Sequence, residues 1–124
     1  MSDLTNIVDF VLTVSLNNNN VPQFNYTKGG KAVTGSLAAN SAETIRYVLD
    51  DDTDMELKFV GAAFATPFDG VIEKVEVSSN GKQLDLIDLD KAPGKTGFRF
   101  ILSSAKSSLL ISSPDPEIVN RGTE

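Results

Sequence analysis

Apolar residues fall at every second position through most of this chain. Val8, Phe10, Leu12, Val14 and Leu16 alternate with Asp9, Thr13 and Ser15, the spacing that turns one side of an extended strand to a core and the other to water. The polar run Asn17 to Asn20 ends that strand. Phe24 and Tyr26 mark a second strand. Lys28-Gly29-Gly30-Lys31 predicts a turn into a third, carrying Val33 and Leu37, so that the two form a hairpin. Ile45, Tyr47 and Leu49 then share one face, opposite Thr44, Arg46 and Val48. After the acidic turn Asp50 to Asp54, Leu57 and Phe59 alternate with Glu56 and Lys58.

The second half repeats the pattern. "TPFDG" breaks the chain, and "VIEKVEV" and "QLDLIDL" flank Ser78-Ser79-Asn80-Gly81. Asn-Gly favours a tight turn whose two central residues both need positive φ, so a hairpin is predicted here. Phe98, Phe100 and Leu102 alternate with Arg99 and Ile101, and a last strand uses Leu109 and Ile111. Nowhere do apolar residues recur at three and four positions for as long as a helix needs. The expected fold is all-β: one domain over residues 1–124, an antiparallel sandwich of about seven to nine strands, with a barrel as the alternative.

Composition narrows the chemistry. The 124 residues suffice for one core, and 40% of them are hydrophobic. Seventeen acidic against 11 basic side chains give a net charge of −6, which repels the phosphates of nucleic acid. Cys and His are both absent. That removes disulfides, the usual zinc, copper and haem sites, and Ser-His-Asp or Cys-His catalysis. No Trp and two Tyr leave few platforms for sugars or bases. The apolar stretch at residues 7–16 is too short for a membrane span and is interrupted by Asp9. With Asp3 it also lacks a positive leader, so a cytoplasmic location with no membrane partner is expected.

The tail "SSPDPEIVN" carries the most particular local sequence. Pro114 and Pro116 lack amide donors and push Ser113 and Asp115 toward extended backbone, so the segment is stiff in advance. Ile118, with Val119, is expected to dock on the sandwich while Asp115 accepts nearby amides, making a C-terminal clasp that includes Asn120. This tail, with the "F-x-F-x-L" strand at 98–102 and the "L-x-L-x-D" strand end at 84–88, resembles the DP-EP family of small bacterial proteins. Ile118 stands where the family name places a proline. The resemblance implies an immunoglobulin-like or cupredoxin-like β-sandwich with no established activity; it carries over no catalytic residues, and no cofactor is expected. A cupredoxin-like fold would not bring blue copper here, since His and Cys are missing.

Remaining candidates are carboxylates and edges. Asp50, Asp51, Asp52 and Asp54, and separately Asp85, Asp88 and Asp90, lie where strands end. Solvated turns explain them, and calcium would need Asp50, Asp52, Asp54, Asp88 and Asp90 to converge from different loops. Asp69, Glu73, Asp88 or Glu117 would have to pair in a pocket to act as acid and base. Gly29-Gly30-Lys31 lacks the spacing of a phosphate loop, and Asn25-Tyr26-Thr27 fits a glycosylation acceptor but reads as a strand with Tyr26 buried. "SSAKSSLLISS" carries one charge, Lys106. At a sheet edge it would recruit a strand from a second copy or from another protein partner. The favoured function is therefore a non-catalytic module acting through protein contacts or self-association, with calcium or small-ligand binding as the alternative.

Overall fold

The computed structural model describes residues 6–39, 42–89, 93–114 and 116–120. They form eleven strands: β1 (Asn6–Leu16), β2 (Pro22–Lys28), β3 (Lys31–Val33), β4 (Leu37–Ala39), β5 (Glu43–Asp51), β6 (Leu57–Phe64), β7 (Lys74–Val77), β8 (Gln83–Asp88), β9 (Gly94–Ser104), β10 (Ser107–Ser112) and β11 (Glu117–Asn120). Six make one sheet in the order β3-β2-β1-β5-β8-β7. In the other, five-stranded sheet β6 lies along one edge of β9, while β10 and then β11 run along the other, with β4 outside β11. The fold is the expected β-sandwich. Among the described residues there is no helix long and apolar enough to cross a membrane.

Two features depart from the antiparallel expectation. β1 pairs β5 in parallel, Phe10 opposite Tyr47, and β11 pairs β4 in parallel, Ile118 opposite Leu37. Parallel neighbours need a crossover between them. For β1 and β5 that crossover is the excursion through β2, β3 and β4. The strand count exceeds seven to nine for a related reason. The predicted third strand breaks at Gly35 into β3 and β4, which belong to different sheets, and the tail supplies β11. Gly35 has φ +85°, and a Cβ there would lie 2.8 Å from the Tyr26 ring. Only glycine lets the chain cross between layers so close to an aromatic face.

The core follows from the alternation. Phe10, Leu12 and Val14 of β1, Ile45 and Tyr47 of β5, and Leu84 and Leu86 of β8 face Phe98, Phe100 and Leu102 of β9 and Leu57 and Phe59 of β6. Tyr47 sits at its centre, stacked on Phe10 at 5.0 Å and edge-on to Phe100 at 4.7 Å, geometries that suit the ring quadrupole. Its hydroxyl donates to Gly35 O at 2.7 Å, so this fully buried polar group is satisfied at the crossover point.

Both predicted hairpins form, but the tight turn expected at Asn-Gly is found at Gly29-Gly30. Gly29 and Gly30 both have positive φ, the two-residue turn that matches strand twist. At the Asn-Gly turn only Gly81 is left-handed. Asn80 instead uses its side chain, Oδ1 accepting from Lys82 N–H and from the Ser78 hydroxyl, while Gly81 N–H donates to Ser78 O. That longer turn reaches sideways: Gly81 O accepts the Phe59 amide of β6 at 2.8 Å and Lys82 Nζ donates to Leu57 O at 2.6 Å. The two sheets are thereby tied along one end of the β6–β7 seam.

Candidate functional site

The acidic residues separate. Asp50, Asp51 and Asp54 border an open groove of about 650 Å³ with Glu56, Lys58 and Lys82. Asp52 is exposed beside it, its amide donating to Val14 O. Asp88 is buried at the opposite end of β5, in register with Glu43. Seven residues of strand, about 23 Å at 3.3 Å each, separate it from the level of Asp50, so these carboxylates do not meet. Asp90 lies outside the described residues. Among the described residues no three Asp or Glu side chains are arranged to hold a metal ion.

Asp51 has a structural task within this groove. Its Oδ1 accepts from the Thr53 amide and hydroxyl, its Oδ2 from the Leu57 amide at 2.8 Å, and Thr53 Oγ1 accepts the Met55 amide. These bonds hold a loop in which Asp54 and Glu56 both adopt positive φ. Burial, the largest single influence, raises the Asp51 carboxyl. The Leu57 amide, the Thr53 hydroxyl and amide, and the Lys82 ammonium together outweigh it and hold the group below the ordinary carboxylate range. Asp50 accepts a hydrogen bond from the Thr13 hydroxyl at 3.1 Å.

The candidate acid–base residues do not all share one recess. Asp69 and Glu73 border one recess, but both Asp69 oxygens serve the local turn, Oδ2 accepting from the Thr66 hydroxyl and Oδ1 from the Val71 amide. Asp88 does not line that recess: it is buried at the end of β8, next to Ile87, whose carbonyl accepts the Glu73 amide at 2.8 Å, and Glu117 lies in β11, opposite Gly97.

The tail is integrated more deeply than a clasp. It continues β10 along the edge of β9 and inserts β11 between β9 and β4, burying Ile118 in the core. The prolines sit where the edge is irregular. Ser113 N–H donates to Phe100 O at 3.0 Å and Phe98 N–H donates to Pro116 O at 3.1 Å. Pro114, which has no donor to lose, is exposed there, while Pro116 is buried. Asp115 lies outside the described residues, and Asn120 is placed as the last residue of β11, opposite Gly94.

The "SSAKSSLLISS" segment forms the β9–β10 hairpin, and among the described residues β10 has β9 as its one ladder partner, which makes it an edge. Its pairing is bulged: Ser107 opposes Ser104 and Ile111 opposes Leu102, leaving three residues of β10 against one of β9. The bulge turns Leu109 and Leu110 outward, 76% and 62% exposed. Leu109 was expected on the core face with Ile111; the bulge breaks the alternation that would have put it there. These leucines form one wall of a recess of about 390 Å³ that Leu16, Pro22, Met55 and Ile111 also line.

One exposed group escaped the strand pattern altogether. Phe68, at the tip of the "TPFDG" break, is 97% exposed. The signal was an aromatic residue between Pro and Asp-Gly, a turn context that holds a side chain outward.

No curated protein matches the chain. Among solved structures, a multi-copper oxidase from Pseudomonas thermotolerans aligns at a TM-score of 0.44 with 14% identity, over 99% of this chain. This chain spans 31% of that oxidase. The model of the DP-EP family matches residues 8–122, from β1 through β11, and the chain therefore belongs to the DP-EP family.

Proposed function

We propose that this protein is a non-catalytic β-sandwich module of the bacterial cytoplasm that acts through protein contacts, chiefly self-association at the β10 edge. The observation that carries this reading is the outward pair Leu109–Leu110 on an edge strand. Exposed apolar knobs of this kind mark contact surfaces. The knob is one wall of the recess that Leu16, Pro22, Met55 and Ile111 also line. Two copies related by a two-fold axis would each insert a knob into the other's recess, the self-complementarity a symmetric dimer requires. The hairpin carries one charge, Lys106, so the net charge of −6 creates little repulsion at this surface. The bulge keeps the edge from pairing without limit, which favours a closed contact over a growing sheet.

Sedimentation and native mass spectrometry of the wild-type chain and of a Leu109→Lys/Leu110→Glu variant test this. The wild type should form a discrete dimer or a larger closed assembly indifferent to calcium. The variant should lose mass at an unchanged melting temperature, since both side chains are exposed. A wild type that stays monomeric at high concentration, or a variant with undiminished mass, retires the reading.

A further inference from the structure

We infer that the turn Thr66–Asp69 and the recess beside it form a second self-contact, in which Phe68 of one copy fills the recess of another. This surface lies at the other end of β9 and across its other edge from β10, so it goes beyond the contact proposed above. The recess follows from the way the sandwich closes. β6 and β7 are the neighbouring edges of the two sheets, and no ladder joins them among the described residues. They are tied at one end, where Gly81 O meets the Phe59 amide and Lys82 meets Leu57 O. At the far end they part, leaving a recess of about 190 Å³ lined by the apolar Ala62, Phe64, Pro67, Ile72 and Val75 and rimmed by polar side chains, Asp69, Glu73 and Lys74 among them. A dry apolar cavity of about 150 Å³ admits benzene, so this one has room for a phenyl side chain.

Phe68 is held outside that recess. Pro67 fixes the first corner of the turn, Asp69 N–H reaches back to Thr66 O at 3.4 Å, and the Asp69 carboxylate accepts from Thr66 and Val71. The ring is therefore presented to solvent in advance, with little left to order on binding. An aromatic anchor beside a cavity of its own size, on one edge of one molecule, is self-complementary: a two-fold axis between them fills both recesses at once. The occupant that the surface itself supplies is thus a second copy of this chain.

The chain contains no tryptophan, so Phe68→Trp introduces a single reporter at the anchor. It is best placed in the Leu109→Lys/Leu110→Glu background, where association through β10 is removed. On concentrating this protein, the emission should shift to the blue as the indole enters the partner's recess, in step with a doubling of mass. Phe68→Ser in the same background should weaken that dimer at least about 30-fold with an unchanged melting curve. Emission that stays solvent-like at every concentration overturns the inference, whether or not the wild type associates through β10. Emission already blue in the dilute monomer also overturns it, by placing residue 68 in its own recess. Loss of the β10 contact with a retained blue shift would separate this surface from the one proposed above.

Discussion

Ser113 and Phe100 exchange two hydrogen bonds, but only one is of the ladder kind. Ser113 N–H donates to Phe100 O at 3.0 Å, whereas Phe100 N–H donates to the Ser113 hydroxyl at 2.8 Å instead of to its carbonyl. The hydroxyl passes its own proton to Pro114 O at 2.9 Å. A side chain thus completes the β9 edge where the tail steps past it. Ser113→Ala would strand the Phe100 amide in a buried place, at a cost of about 1–3 kcal/mol. Urea denaturation should show the midpoint falling without a change in slope; a midpoint equal to wild type would mean another acceptor replaces Ser113.

Gly35 supplies a second prediction, because two glycines with similar dihedrals have different surroundings. Gly35 (φ +85°) faces the Tyr26 ring at 2.8 Å from where a Cβ would stand, while Gly29 (φ +60°) has open space. Gly29→Ala should cost about 1 kcal/mol, the strain of the left-handed backbone. Gly35→Ala adds a clash with a buried ring and displaces the carbonyl that accepts the Tyr47 hydroxyl, so it should cost several times more and lower expression of folded protein. Equal melting temperatures for the two variants would show that the crossover is not constrained by Tyr26.

The architecture was legible where packing obeys a period of two. Val14, Tyr47, Leu86 and Phe100 all sit on the buried faces that alternation assigns them. It failed where a single residue redirects the chain. Gly35 sends one predicted strand into two sheets, and the bulge between Ser107 and Ile111 turns Leu109 out. Neither event changes the hydrophobic pattern, so no periodicity reveals it. Strand order is equally silent: nothing in Asp50 or Asp88 says that β5 and β8 pair with these residues at opposite ends. The edge position of β10 was conditional in the sequence, and Phe68 was hidden because turn residues are read for their backbone, not for what they display.

Asp51 makes the stability of the acidic loop depend on pH. Its folded value is depressed below that of the unfolded chain, near 4. The stability it contributes is therefore present above that unfolded value and is lost as pH falls through the folded one. Asp51→Asn keeps the shape but weakens what the Thr53 and Leu57 amides receive. The variant should be less stable than wild type at neutral pH, and the gap in urea midpoint should narrow steadily in acid. A gap independent of pH would show that the carboxylate's charge has no part in holding the loop.

The two tyrosines give the chain an alkaline limit that absorbance can follow. Burial pushes Tyr26 up to about 12, although the nearby Ser113 hydroxyl opposes the shift. The Tyr26 hydroxyl is buried near the Ser113 hydroxyl without making a hydrogen bond. Tyr47 is raised further, by burial first and by Tyr26 second. Stability from keeping both phenols neutral is present in full below the unfolded value near 10 and is lost as pH rises from there through the folded values. Because Tyr26 and Tyr47 are the chain's only tyrosines, the native protein should show no phenolate absorbance around pH 10, then gain both phenolates together as it unfolds. Tyr26→Phe should be close to neutral for stability at pH 7, since it removes a buried hydroxyl that lacks a partner, and should soften the alkaline loss. A phenolate appearing near pH 10 with the fold intact would place at least one of these rings in contact with solvent, contrary to the packing around Gly35.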